Sequence, residues 1–308
     1  MNPIFSYLIF PGLVFTFIVA LLVGWIDRKL TARIQYRVGP PWYQNFVDFF
    51  KLLGKETIVP KTSNRFAFLS APLIGFVGAL LVSTILWRIN LSPTTTFVGD
   101  MIVIIYLLIL PPIATIIGAS SSGNPLAALG ASREMKLILA YELPFIFAIF
   151  TPIVKIGGIR IGNILEYQST YGMMFTHNLS SAIAFFVAFL CMQAKLTYTP
   201  FDIPEAETEI AGGVLIEYSG PPLAMMNLTK YIMLFVLPVF LITMFWGGLN
   251  FNGWNILWSL LKYFLILFVI IVIKNTNPRV RIDQALRFFW GKVFIAAIIG
   301  FILALIGI

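Results

Sequence analysis

Cysteine and histidine are almost missing from this chain, with one of each, Cys191 and His177, among 308 residues. One cysteine excludes an internal disulfide framework and any iron–sulfur or zinc site built from this chain's cysteines alone. One histidine excludes the paired axial ligands of a membrane b-type cytochrome. The chain is therefore expected to carry no redox metal of its own. Charge is scarce too. Charged residues make up 11% of the sequence, against about 25% in soluble domains, too few to wet the surface of a soluble fold this long. A hydrophobic share of 59% also excludes a disordered chain. No sequence repeat relates the two halves, which argues against the inverted-repeat transporters.

What the chain has instead is apolar length. Mean hydropathy is +0.92, and apolar runs, the fourth interrupted by charges at its start and by Glu142, recur near the ~20 residues that a bilayer crossing needs. They cover 1–26, 66–87, 101–132, 132–154, 167–194 and 287–307, while 231–261 holds the end of one span and the start of the next. A Ser-Gly-Asn-Pro turn at Ser122 to Pro125 closes the third run, and a glycine-rich turn at 247–253 divides the sixth from the seventh. The first run has no positive flank before it and reads as a retained span. The expected fold is an all-α integral membrane protein with eight transmembrane helices in one membrane domain, 1–308.

The net charge of +8 follows from topology, and no nucleic-acid partner is expected. With eight crossings, 17 Lys and Arg fall on the side of the loop from Arg28 to Arg65, and 4 (Arg88, Lys155, Arg160 and Lys262) fall nearer the other. The positive-inside rule then places the long first loop in the cytoplasm and both termini outside a cell membrane.

Three segments are not ordinary spans. In Trp42 to Glu56, Phe46, Phe49, Phe50 and Leu53 recur at helical spacing, with Asp48, Lys51 and Lys55 on the other face. This predicts an amphipathic helix of about four turns, lying in the membrane interface or walling a site beside a peripheral partner. In the fourth span, Arg133, Glu134 and Lys136 sit near the cytoplasmic end, and Glu142 lies about two turns deeper, just before Pro144. A carboxylate at that depth is either one half of an ion pair or a proton-relay group, and Pro144 frees the carbonyl of Ala140. The third segment, Leu196 to Thr229, has no Lys or Arg but holds Asp202, Glu205, Glu207, Glu209 and Glu217, 5 of the 13 acids in the chain. These acids alternate with Phe201, Ile203, Ile210, Val214, Leu215 and Ile216, so the segment is expected to pack down. Pro200 and Pro204 stiffen its start, and Gly212-Gly213 permits close backbone approach.

Together these segments resemble one family, the membrane subunit of respiratory complex I called NADH dehydrogenase subunit 1, and its relatives in membrane-bound [NiFe] hydrogenases and sulfur-reducing complexes. The residues that carry the resemblance are Asp27-Arg28-Lys29, Ala32 to Pro40, Asp48, Lys51-Leu52, Lys55-Glu56 and Pro60 in the first loop. They continue with Tyr141-Glu142, the run PFDIPEAETEIAGGVLIEYSG from Pro200 to Gly220, and Pro278 to Gln284. The resemblance covers the chain end to end.

It implies a non-catalytic subunit of an ion-translocating oxidoreductase complex. Glu142, Asp202, Glu205, Glu207, Glu209 and Glu217 would form a proton or sodium pathway. Arg28, Arg33, Gln35, Arg37, Lys51, Lys55, Arg279, Arg281 and Asp283 would face the peripheral arm. Implied partners are hydrogenase-like large and small subunits, an iron–sulfur subunit and antiporter-like membrane subunits. Iron–sulfur clusters, and nickel–iron in the hydrogenase branch, would belong to those partners and not to this chain.

One departure bears on the substrate. After Gly39-Pro40 the complex I pattern carries several more residues, whereas here Pro41-Trp42 leads almost directly into the amphipathic helix. The short link resembles the hydrogenase-type branch, and Pro41, Trp42 and Tyr43 are expected to fill the space of a quinone tunnel. The alternatives are a quinone-binding subunit of an NADH- or ferredoxin-quinone oxidoreductase, a stand-alone secondary ion transporter, and a purely structural anchor.

Overall fold

The computed structural model describes residues 3–251 and 253–307. Met1 and Asn2 of the expected first span, Asn252 of the glycine-rich turn, and Ile308 lie outside the described residues. In order, the helices are α1 (Pro3–Leu8), α2 (Leu13–Ile34), α3 (Gln44–Leu53), α4 (Arg65–Leu91), α5 (Asp100–Ser121), α6 (Pro125–Ile156), α7 (Ile161–Tyr171), α8 (Met174–His177), α9 (Leu179–Lys195), α10 (Glu207–Ile210), α11 (Gly220–Phe245), α12 (Asn255–Thr276), α13 (Ile282–Arg287) and α14 (Phe294–Ile306). A π-helical turn, Phe288–Val293, joins the last two into one rod. The described residues contain no strand. In lipid an α-helix satisfies its own backbone, which is why runs this apolar fold this way.

Among the described residues, seven helices are long and apolar enough to cross a membrane. The expected fifth span is the exception. Its first part breaks into α7 and α8, and only the 17 residues of α9 remain. Gly172 in the left-handed region and the extended Met173 and Asn178 interrupt the helix there.

At the centre stands α11, in which every residue from Ile232 to Phe245 is buried. The helices α2, α4, α9 and α12 pack on it, and α6 fills the gap between α5, α9 and α14. Two asparagine caps set the start of α4 and α6. Asn64 accepts from the Ala67 amide and Asn124 from the Leu126 amide, with Pro125 in the first turn of α6.

The amphipathic helix forms at α3 but has 10 residues, fewer than the expected four turns. Its orientation also differs from expectation. Phe50 and Leu53 are exposed and Asn45 is buried. The reason is an anchor of polar contacts from α2. Arg28 Nη1 donates to Asn45 Oδ1 at 2.6 Å and to Asp48 Oδ2 at 2.8 Å, while Asn45 Nδ2 donates to the Leu21 carbonyl at 3.0 Å. Only Phe46 and Phe49 turn inward, edge-on to Phe17. Partial burial pushes the Asp48 carboxyl up. Hydrogen bonds from Arg28 and Gln44, with the charges of Arg28 and Lys51, outweigh it and leave the group below the usual carboxylate range. The attachment is therefore complete at neutral pH and is lost only as pH falls through that lowered value.

Candidate functional site

The basic loops gather at one end of the bundle, and the acidic segment packs onto that end. Ile203, Pro204, Ala206, Ile210, Gly213 and Val214 are buried against α6 and its neighbours. Tyr218 stacks on Phe68, with ring centroids 4.3 Å apart, and donates to the Phe68 carbonyl at 3.0 Å. This is not a loop floating in solvent.

Gly213 makes the seat possible. It has φ +50, and a Cβ there would lie 2.1 Å from the Pro204 carbonyl oxygen. On the facing helix, a Cβ at Gly130 would lie 2.8 Å from the Val214 nitrogen. Two backbones thus approach where neither can carry a side chain.

The six expected pathway carboxylates separate into three kinds. Asp202 is clamped by Arg279, whose Nε and Nη2 donate to its two oxygens at 2.8 and 2.6 Å. That hydrogen bond is the main reason Arg279 holds its proton even more firmly than usual, with partial burial acting against it. A guanidinium does not release its proton, so this pair is a clip that fixes the loop to the α12–α13 connection. Glu209 is half exposed and bonds Arg133 at 2.6 Å, while Glu207 is exposed. Glu217 accepts from Asn124 Nδ2 at 2.5 Å, which ties it to the cap of α6.

Glu205 and Glu142 point inward and face lysines. Glu205 is ion-paired with Lys230 of α11. Glu142 Oε2 is 2.8 Å from Lys195 Nζ, and the Lys195 side chain has no solvent exposure. That ammonium also lies 5.3 Å from the Tyr141 ring centroid and 4.9 Å from that of Phe145. Of these two lysines, both counted on the basic side, Lys195 is a core residue and Lys230 is partly buried.

A residue outside the expected set joins these pairs. Glu134 is 2% exposed, and its Oε2 has no partner among the described residues. It lines a cavity of about 40 Å³ together with Lys195, Glu205, Lys230, Thr197 and Thr229. The Pro111–Pro112 pair of α5 forms part of the apolar wall. Glu134 and Glu142 are eight residues apart on α6, about 12 Å along the axis at 1.5 Å per residue. Lys195 connects them, because it lines the Glu134 cavity and bonds Glu142. Among the described residues, the remaining Glu142 oxygen, Oε1, is buried without a partner, as is the Tyr141 hydroxyl. The site is a short series of ionisable groups, Glu205–Lys230, Glu134 and Lys195–Glu142, leading from the basic end into the bundle.

A second series lies beside it. Lys274 Nζ is 2.8 Å from Asp27 Oδ2, which also accepts from the Tyr198 hydroxyl at 3.2 Å. Asp27 is 3% exposed. At the opposite end, Asp100 is fully buried and accepts the Met101 and Ile161 amides, so it holds the start of α7.

The expected peripheral-arm residues divide as well. Arg33, Gln35, Arg37, Lys51, Lys55, Arg281 and Asp283 are exposed at the basic end. Arg28 and Arg279 instead commit their guanidiniums to Asp48 and Asp202. Among the described residues no His, Cys, Asp and Glu side chains are grouped as metal ligands.

A family model described as NADH dehydrogenase matches residues 7–305. The chain belongs to that family. It is a membrane subunit of the complex I-like respiratory kind. It is 33% identical to NADH-quinone oxidoreductase subunit 8 of Thermus thermophilus over 295 residues, 90% of this chain and 79% of that one. It is 31% identical to an NADH-quinone oxidoreductase subunit of Geobacillus sp. (strain WCH70) over 315 residues, covering 96% of this chain and 92% of the relative. Among solved structures, it matches a chain of the membrane-bound sulfane sulfur reductase (MBS), an archaeal respiratory membrane complex. There the TM-score is 0.85 at 30% identity, covering 94% of this chain and 96% of that one.

Proposed function

We propose that this subunit docks a peripheral redox arm and couples its electron transfer to proton or sodium movement through Glu205, Glu134, Lys195 and Glu142. One observation carries this reading: a cavity that brings two carboxylates and two lysines together, with a carboxylate oxygen left unpartnered. A change of charge at the basic end shifts the Glu205–Lys230 pair, and through Glu134 the position and proton of Lys195. The partners are hydrogenase-like large and small subunits, an iron–sulfur subunit and antiporter-like membrane subunits. Their clusters carry the electrons.

The terminal acceptor in this reading is not a quinone. The cleft between α2, α3 and α11, lined by Asn45, Asp48, Phe49 and Tyr231 among others, holds about 90 Å³. Small-molecule sites run from ~300 to ~1,000 Å³. What narrows the cleft is not what the sequence suggested. Trp42 and Tyr43 are 59% and 49% exposed and do not line it. The Trp25 indole, donating to the Pro40 carbonyl at 3.1 Å, ties the short link back, and Phe46 and Phe49 close on Phe17. The purified complex should show neither quinone-dependent turnover nor sensitivity to quinone-site inhibitors. Quinone turnover blocked by such a compound, with resistance mapping to Phe49 or Tyr231, contradicts this.

The eighth crossing in this reading is α9, whose 17 residues sit at the lower limit of ~17–25 for a span. One membrane domain then has both termini outside and the basic end in the cytoplasm, with α3 in the interface. Cysteine substituted at Lys51 should react only with reagent on the cytoplasmic side, and at Arg160 only with reagent outside. The reverse pattern inverts the topology.

A further inference from the structure

Between α9 and α12, both of which pack on α11, the bundle carries a groove that none of the ion-pathway residues uses. Its first compartment holds about 500 Å³ and is walled by apolar side chains, among them Phe186, Phe189, Trp246, Leu265 and Val269. A second, of about 560 Å³, continues it toward the basic end, and Leu190 and Ile273 line both. There the walls turn polar, with Gln193, Asn277 and Gln284. Gln193 is 1% exposed. Its Nε2 donates to the Thr199 carbonyl at 3.0 Å, and its Oε1 has no partner among the described residues. Arg281 is the extended residue just before α13, and its amide donates to Gln284 Oε1 at 3.1 Å, while Arg287 stands one turn after Gln284 on the helix. Both are exposed, and neither is ion-paired among the described residues.

The gradient along the groove selects its occupant. An apolar length, then amide groups, then two uncommitted guanidiniums complement a molecule with an apolar tail, a hydroxylated middle and an anionic head. We propose that the α9–α12 groove binds one acidic membrane lipid. Its tails lie along Phe186, Trp246 and Val269, a headgroup or glycerol hydroxyl donates to Gln193, and its phosphate meets Arg281 and Arg287. A helix of a neighbouring subunit would cover the apolar compartment but give the guanidiniums and Gln193 nothing. A quinone brings a tail but no charge. Gln193 is two residues from Lys195, so a lipid seated here braces the helix end that carries the buried ion pair.

The test uses the whole complex with a photoreactive benzophenone amino acid at Val269, in nanodiscs of equal phosphatidylglycerol and phosphatidylcholine. Adducts with phosphatidylglycerol should exceed those with phosphatidylcholine by at least about fivefold, as expected for two basic contacts. The double substitution Arg281→Gln, Arg287→Gln should bring the ratio to parity while total lipid adducts persist. The same probe at Leu265 serves if the Val269 variant does not assemble. Equal adducts with the arginines present, a preference that survives their removal, or adducts chiefly with a partner subunit or a quinone would each overturn the assignment.

Discussion

Lys195→Met should destabilise the membrane core severely, whereas Glu142→Gln should leave it assembled. The two halves of this pair are not equivalent. Lys195 Nζ is fully buried and supplies the hydrogen bond that Glu142 receives. Removing the ammonium strands a buried carboxylate, which costs about 3–5 kcal/mol. Removing the negative charge instead leaves an ammonium with somewhere to go. It can keep the amide oxygen of the new glutamine, it lies between the Tyr141 and Phe145 rings, and it already lines the cavity holding Glu134. The double variant Glu142→Gln, Lys195→Met removes both charges and should recover most of the stability lost by Lys195→Met alone. Thermal denaturation of the purified complex, reading one variant against another, checks this. If Lys195→Met melts like the parent, the carboxylate is reached by water and the pair is not buried in the working protein.

The second large effect belongs to Gly213→Val. A side chain there meets the Pro204 carbonyl and Ile210 while the backbone stays in the left-handed region. Overpacking and backbone strain each cost about 1–3 kcal/mol. The acidic segment should lift off Gly130 of α6 and carry Glu205 away from Lys230 and Glu134. Coupling and assembly of the peripheral arm should both fall. Gly212→Ala is the control. It keeps a positive φ of +91 but has nothing within 4 Å of its Cβ, so its cost is the backbone's alone, about 1–3 kcal/mol. Coupling unchanged in Gly213→Val would mean that the segment is not seated as described.

Much of this was legible in the sequence. Apolar run length located the spans, because lipid leaves the backbone no alternative to the helix. It could not show that the fifth run shortens to α9, since the apolar composition continues through Met173 and Met174 while the chain bends. The position of α3 was legible from its phenylalanines. Its orientation was not, because it is set by Arg28, an arginine 17 residues from Asn45 whose partners only the fold reveals. The acidic segment read correctly as packed. Which of its acids turn inward depends on single-residue turns in α10 and the bends around it, and Glu207 and Glu209 face out. Glu134 was missed for a plainer reason. Beside Arg133 and Lys136 it looked like one more charge at a helix end. The spacing to Tyr141 and Glu142, seven and eight residues, already placed all three on one face of α6. The partner lysine came from another helix and carried no local signal.

Coupling through this series is measured most directly as ions moved per electron in proteoliposomes, comparing the parent complex with Glu134→Gln. Glu134 touches no docking surface and has an unpartnered oxygen, so its substitution should spare assembly and electron transfer. The ratio should fall several-fold, with electron flow near the parent rate. A ratio equal to the parent's, at equal electron flow, would contradict the coupling role and leave the inner carboxylates as structural ion pairs.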